Sequence, residues 1–311
     1  MKTLITLIYI VLITTASSIE NENFIKIILK IDDKIITNQD IVKESKILKI
    51  LNPQLETLEN NQINKIAKDS LLKEKIKQLE IEKFYKVDYK SNQVGPFIEK
   101  IFRNLNFKTV DEFKAHLLKS KINYEDIKKK LIIEKSWNQL IFDRYRDKVK
   151  VNEDEIEKQF DDFINNSKKE KSYLLHEIVF LEKDQNKFEK KYNEILSSIN
   201  NIGFKKSASI FSEAISSNDN GKIGWIKSSQ LNEVILENII NLEKGQFSKP
   251  IITAGGALIL FIDDIKETDI QTINKQVEIS RMIKSEKDRQ LNEFSLLHFK
   301  KIENNSYVQE F

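Results

Sequence analysis

Cysteine is absent from the 311 residues of this chain. That excludes a disulfide framework, thiol chemistry and a lipid-bearing cysteine behind an export signal. An excess of either charge is lacking too: 51 Lys and Arg stand against 48 Asp and Glu, a net charge of +3. The charges are scattered as Lys–Glu mixtures, so they read as solvated helix faces, and nucleic acid is not an expected partner. Histidine is scarce. His116, His176 and His298 lie far apart with no other ligand type at metal spacing, so neither a metal nor any other cofactor is expected. Ser212 and Ser248 have no His–Asp companions, which argues against nucleophilic catalysis. Beyond the amino terminus no apolar run approaches the roughly 20 residues that a spanning helix needs, so no stable membrane insertion is expected of the mature chain.

What the amino terminus does have is Lys2, an apolar run over residues 4–13, and small residues over 14–18. A short positive region, an apolar stretch of this length and small residues beyond it describe a secretory signal peptide, removed near Ala16 or Ser18. The mature protein is then expected outside the cytoplasm.

Behind that segment, β-branched residues 24–31 and 34–36 flank Asp32-Asp33 as a hairpin, and Thr37 to Asp40 reads as a capping segment. The pattern then turns helical as far as Lys150. Pro53 ends the first helix, because the residue before proline is driven out of the helical region. Residues 62–86 carry Leu72, Ile76 and Leu79 on one face, and residues 92–104 form another helix. Thr109 caps a short helix to about Lys119, and Asn123 caps one whose apolar face is Ile133, Trp137, Leu140 and Ile141. One more helix spans 151–165, and the polar run 166–172 marks a boundary.

The pattern changes at Tyr173. An apolar run over 173–181 reads as a buried strand. Helical stretches follow, then a loop with Gly221 and Gly224, a helix over 230–241 ending at Gly245, and two β-rich runs around Ala254-Gly255-Gly256 as a hairpin turn. This order gives a small sheet with helices against it. A long helix over 269–298 and an extended tail to Phe311 close the chain.

In series these residues resemble the parvulin, or PpiC-type, peptidyl-prolyl isomerases. The resemblance is carried by His176 in the first strand and by Phe204, Ala208, Phe211 and Ser212. It continues through Gly221-x-x-Gly224-Trp225, Gly245-x-x-Ser248-x-Pro250-Ile251-x-Thr253, and Gly256 before the last strand. The opening, Ile31 to Ile41, resembles that of the SurA-type chaperones. Together they imply an α+β chain: a signal over 1–18, a mainly helical domain over 19–172, and one parvulin-like domain over 173–266. A C-terminal helix and tail over 267–311 would pack back on the helical domain. The implied role is a periplasmic chaperone for unfolded or partly folded polypeptides, outer-membrane β-barrel precursors in particular. The alternative is an active exported isomerase, and a third reading keeps the amino terminus as an uncleaved anchor.

Position by position, the resemblance puts His176 at the family's first histidine. The family's second histidine falls on Leu258, and its Cys or Asp on Ala214. Its proline-pocket Met and Phe fall on Leu231 and Ile235, with Trp225 and Phe247 beside them as further substrate-binding residues. Apolar character is kept in the pocket and polar character is lost around it. Isomerase activity is therefore expected to be weak or absent, with His176 satisfied by a local hydrogen bond.

Overall fold

The computed structural model describes residues 24–166, 169–182, 184–253, 256–269 and 274–311. The expected signal segment and residues 254–255 of the expected hairpin turn lie outside them.

Strands β1 (Ile27–Ile31) and β2 (Lys34–Thr37) pair antiparallel. Thr37 then caps α1 (Asn38–Leu51): its hydroxyl accepts from the Asp40 N–H, and the Asp40 carboxylate accepts from the Thr37 N–H at 2.8 Å. Pro53 stops α1 and leaves Asn52 at φ −137°, ψ 85°. Next come α2 (Asn60–Glu82), α3 (Gly95–Asn104), α4 (Val110–Lys119), α5 (Tyr124–Tyr145) and α6 (Glu153–Asn166). Helix α3 starts later than the residue 92 expected, because Pro96 at its first turn has no N–H to give and fixes the start. Thr109 and Asn123 cap α4 and α5 as their sequences indicate.

The second half runs β3 (Lys169–Phe180), α7 (Gln185–Ile202), α8 (Phe204–Phe211), β4 (Lys222–Lys227), α9 (Glu233–Ile239), β5 (Ile251–Thr253) and β6 (Gly256–Asp269). Its sheet is antiparallel in the order β4-β3-β6-β5. Alternation along β6 sorts the two faces. Ala257 and Ile259 pack with Ile178, Phe180, Ile195, Phe204 and Ala208 on the α7–α8 side. Leu258, Leu260 and Ile262 pack with Tyr173, Leu175 and Ile239 on the α9 side. Both β3 and β6 reach beyond the apolar runs, pairing Lys171 with Glu267 and Ser172 with Lys266. Cross-strand pairing carries these polar residues into the ladder where hydrophobicity gives no signal.

The chain ends in α10 (Lys275–Asn305) and β7 (Val308–Glu310). Helix α10 continues past the expected stop at His298, and β7 pairs with β1 to give the sheet β2-β1-β7. Trp137 of α5 is fully buried; its indole N–H donates to Ser295 of α10 at 2.8 Å, and its ring meets Phe299 edge-on. His298 also packs inward, between the Tyr145 hydroxyl at 3.0 Å and Glu80 at 3.2 Å, whereas His116 is exposed. Helix α10 thus packs with α2 and α5 in one helical layer. No helix among the described residues is long and apolar enough to cross a membrane.

Candidate functional site

His176 lies in β3 opposite Phe261 of β6, and its ring meets Phe261 edge-on at 6.2 Å. It is 4 % exposed. Both ring nitrogens have neighbours: Nδ1 lies 3.0 Å from the Asn220 carbonyl oxygen, and Nε2 lies 3.6 Å from the Asp263 carboxylate. Because a carbonyl oxygen only accepts, Nδ1 carries the hydrogen of the neutral ring. Lys205 of α8 pairs with the other Asp263 oxygen at 2.7 Å. Burial depresses the His176 pKa and Lys205 adds to that, against the opposing Asn220 carbonyl and Asp263. Burial works against the Asp263 charge, but Lys205 and His176 hold its carboxyl below the usual range.

The loop that carries Asn220 is tightly held. Asn220 is left-handed at φ 56° and Gly221 at φ 73°. A Cβ on Gly221 would run into the Glu177 carbonyl oxygen and lie 2.8 Å from Ala208 Cβ, so the loop passes where only glycine fits. The Gly221 carbonyl accepts from the Glu177 N–H at 2.7 Å. Burial raises the Glu177 carboxyl, which accepts from the Ser216 hydroxyl at 2.7 Å. Ser212 and Ser248 have backbone tasks: their hydroxyls accept from the Val179 N–H at 3.1 Å and the Leu260 N–H at 3.0 Å.

The other residues singled out by sequence divide between the faces. Leu231 and Ile235 are partly buried beside Leu258 on the α9 side. Phe247 instead packs on the α7–α8 side, its ring 6.1 Å from Phe204. Trp225 is 39 % exposed with the Lys266 ammonium 4.1 Å above its ring. Leu258 is paired with Val179, three positions along the ladder from His176, and packs in the cluster opposite Phe261. Ala214 follows Ser212, whose hydroxyl accepts from its N–H at 3.4 Å. Leu231, Ile235 and Leu258 therefore come together, and His176 stands apart from them with Asp263, Lys205 and Asn220. Sequence reasoning missed these last three. Asp263 and Lys205 read as ordinary surface charges until strand pairing and helix docking aim them at one ring. Among the described residues no group of three or more His, Cys, Asp or Glu stands ready to hold a metal ion.

Residues 151–277 match the family model described as the PPIC-type PPIASE domain, so the chain contains a PpiC-type domain. A stretch of 140 residues is 28% identical to the chaperone SurA of Hydrogenovibrio crunogenus, covering 43% of this chain and 31% of that relative. The chain thus matches under a third of that relative's length. Among solved structures, a PpiC-type peptidyl-prolyl cis-trans isomerase domain is 26% identical, covering 32% of this chain and 95% of its own, with TM-score 0.29. PrsA of Bacillus cereus is 18% identical, with 90% of each chain covered and TM-score 0.28. A chain from work on PEB4 and the periplasmic protein Cj1289, described as SurA-like chaperones of Campylobacter jejuni, is 16% identical. It covers 92% of this chain and 98% of its own, with TM-score 0.34. The chain thus carries one segment that matches the PpiC-type model, and 140 of its residues are similar to a chaperone SurA.

Proposed function

We propose that this protein is a SurA-like periplasmic chaperone that holds unfolded polypeptides, outer-membrane β-barrel precursors among them. Its PpiC-type domain isomerises X-Pro bonds slowly at most. The observation that carries the reading is the PpiC-type segment set between helices from both ends of the chain, with α10 closing on α5 through Trp137 and Ser295. A stand-alone isomerase has no need of that frame. Unfolded barrel segments carry alternating apolar residues, which a helical frame can hold without sequence specificity. The near balance of charges would keep the loaded complex soluble. Export rests on the signal-like residues 1–18, removed near Ala16 or Ser18.

Slow isomerisation follows from what surrounds the proline pocket. Uncatalysed X-Pro rotation crosses a barrier of roughly 18–20 kcal/mol, and a catalyst must bind the twisted amide more tightly than the planar one. Leu231 and Ile235 can grip a pyrrolidine ring, but Leu258 and Ala214 offer the rotating carbonyl no polar side chain. His176 is buried and already engaged by Asn220 and Asp263. The same Leu231–Ile235 pair favours the second reading, an active exported isomerase.

Aggregation of an unfolded outer-membrane protein and isomerisation of a prolyl tetrapeptide, measured side by side on the mature chain, test the proposal. Suppressed aggregation is expected, with feeble isomerisation that His176→Ala barely changes. Isomerisation at the level of ordinary parvulins, abolished by that substitution, would favour the enzyme. Mass spectrometry is expected to find a mature amino terminus near Ser17 or Ile19; an intact Met1 on membrane-bound protein would favour the anchored form.

A further inference from the structure

We infer that Asn52, in the helical half of the chain, is a positioning residue for His176 and sets which ring nitrogen carries the hydrogen. The inference rests on reading His176 as a site position of the PpiC-type domain. Pro53 holds Asn52 out of the helix, and the Asn52 backbone N–H still donates to Leu48 at 2.8 Å, so its side chain is free to reach across. Asn52 is 6 % exposed, and its side-chain amide donates to Asn220 Oδ1 at 2.6 Å and reaches Ser209 Oγ at 3.4 Å. Ser209 donates to the same Asn220 oxygen at 3.3 Å.

Asn220 is thus gripped twice. Its side chain is held by Asn52 and Ser209, and its backbone carbonyl receives the His176 Nδ1 hydrogen at 3.0 Å. Its left-handed φ of 56° is a conformation that side-chain hydrogen bonding helps an asparagine to keep. Releasing the side chain frees the loop to turn the carbonyl away. The ring then loses its reason to keep the hydrogen on Nδ1 and gains by moving it to Nε2, toward Asp263. Seating of the helical half on α8 and the protonation pattern of the ring are therefore coupled, and the coupling is reciprocal.

Long-range proton–nitrogen NMR of the full-length chain reads the ring directly, whether or not the protein isomerises or holds clients. With three histidines in the sequence, the signal lost in His176→Gln assigns it. Asn52→Ala should shift the Nδ1–H to Nε2–H ratio about three- to tenfold toward Nε2–H, the range expected for one hydrogen bond. Asn52→Leu keeps much of the volume but offers no polar partner, and should act the same way if the alanine variant folds poorly. Thr57→Ala removes a different contact between the halves, the one to Lys206, and should leave the ratio unchanged. Asn220→Gly keeps the carbonyl and tolerates the positive φ, so adding Asn52→Ala to it should change nothing further. An unchanged ratio in Asn52→Ala and Asn52→Leu, an equal shift in Thr57→Ala, or additive effects of Asn52→Ala and Asn220→Gly would each overturn the inference.

Discussion

At the scale of single residues, burial sets the behaviour of two imidazoles, His176 and His298. Burial lowers both pKa values; Lys205 adds to the effect at His176 and Arg144 at His298. Asp263 and Glu80 oppose it without overcoming it. A histidine whose folded pKa lies below its unfolded value of about 6.5 favours the fold while neutral. That contribution is fully present above pH about 6.5 and is lost as pH falls through the folded pKa. The paired carboxylates Glu80 and Asp263 have depressed pKa values, so their contribution fades only at more acidic pH. Urea midpoints should therefore fall between pH 7.5 and 5.5, and His298→Gln should flatten that slope. An equally steep slope in the variant would refute the assignment. Gly221→Ala belongs at this scale too. With φ 73° and the Glu177 carbonyl in the way, it should cost about 2 kcal/mol or more, read from denaturant unfolding.

At the scale of elements, α10 ties the last third of the chain to the helices before the PpiC-type segment. It brings Ser295, His298 and Phe299 onto Trp137 and Glu80, so its docking depends on side chains from α2 and α5. Trp137→Ala should cost about 3–5 kcal/mol, and α10 should be the region whose amide exchange rises most. Trp137→Phe keeps most of the packing and loses the bond to Ser295, so its cost should be clearly smaller. Equal losses in the two variants would assign the stability to the hydrogen bond and not to packing.

At the scale of the molecule, the seam between the halves joins apolar and polar contacts. Leu55, Leu58, Ile63 and Ile66 receive Ile202 and Ile210. Lys300 of α10 pairs with Glu213 at 3.0 Å beside the loop that carries Asn220. Burial disfavours the Lys300 charge, yet Glu213 and Glu303 outweigh it and raise its pKa. Glu213→Gln removes the partner from the PpiC-type side of the seam. Amide exchange across residues 212–221 should then quicken while the Trp137 core stays protected. Unchanged exchange in that loop would show that the apolar contacts alone hold the seam.

Local chemistry determined much of this in advance. Thr37, Thr109 and Asn123 cap helices because their side chains satisfy N–H groups within three residues, and Pro53 breaks a helix by its own ring. The glycines of the PpiC-type segment are legible for a similar reason, since Gly221 and Gly224 answer the backbone's demand for positive φ, while its serines and phenylalanines stand out only as a series. The candidate site was legible only in part. His176 and the Leu231–Ile235 pair stand in the sequence pattern, but Asp263, Lys205 and Asn52 carry no local signal of their own. Asn52 lies 168 residues from Asn220 along the chain. Only strand pairing and the docking of one half on the other bring such residues within hydrogen-bonding distance, and hydrogen bonds and ion pairs act over ångströms in space, whatever the separation in sequence.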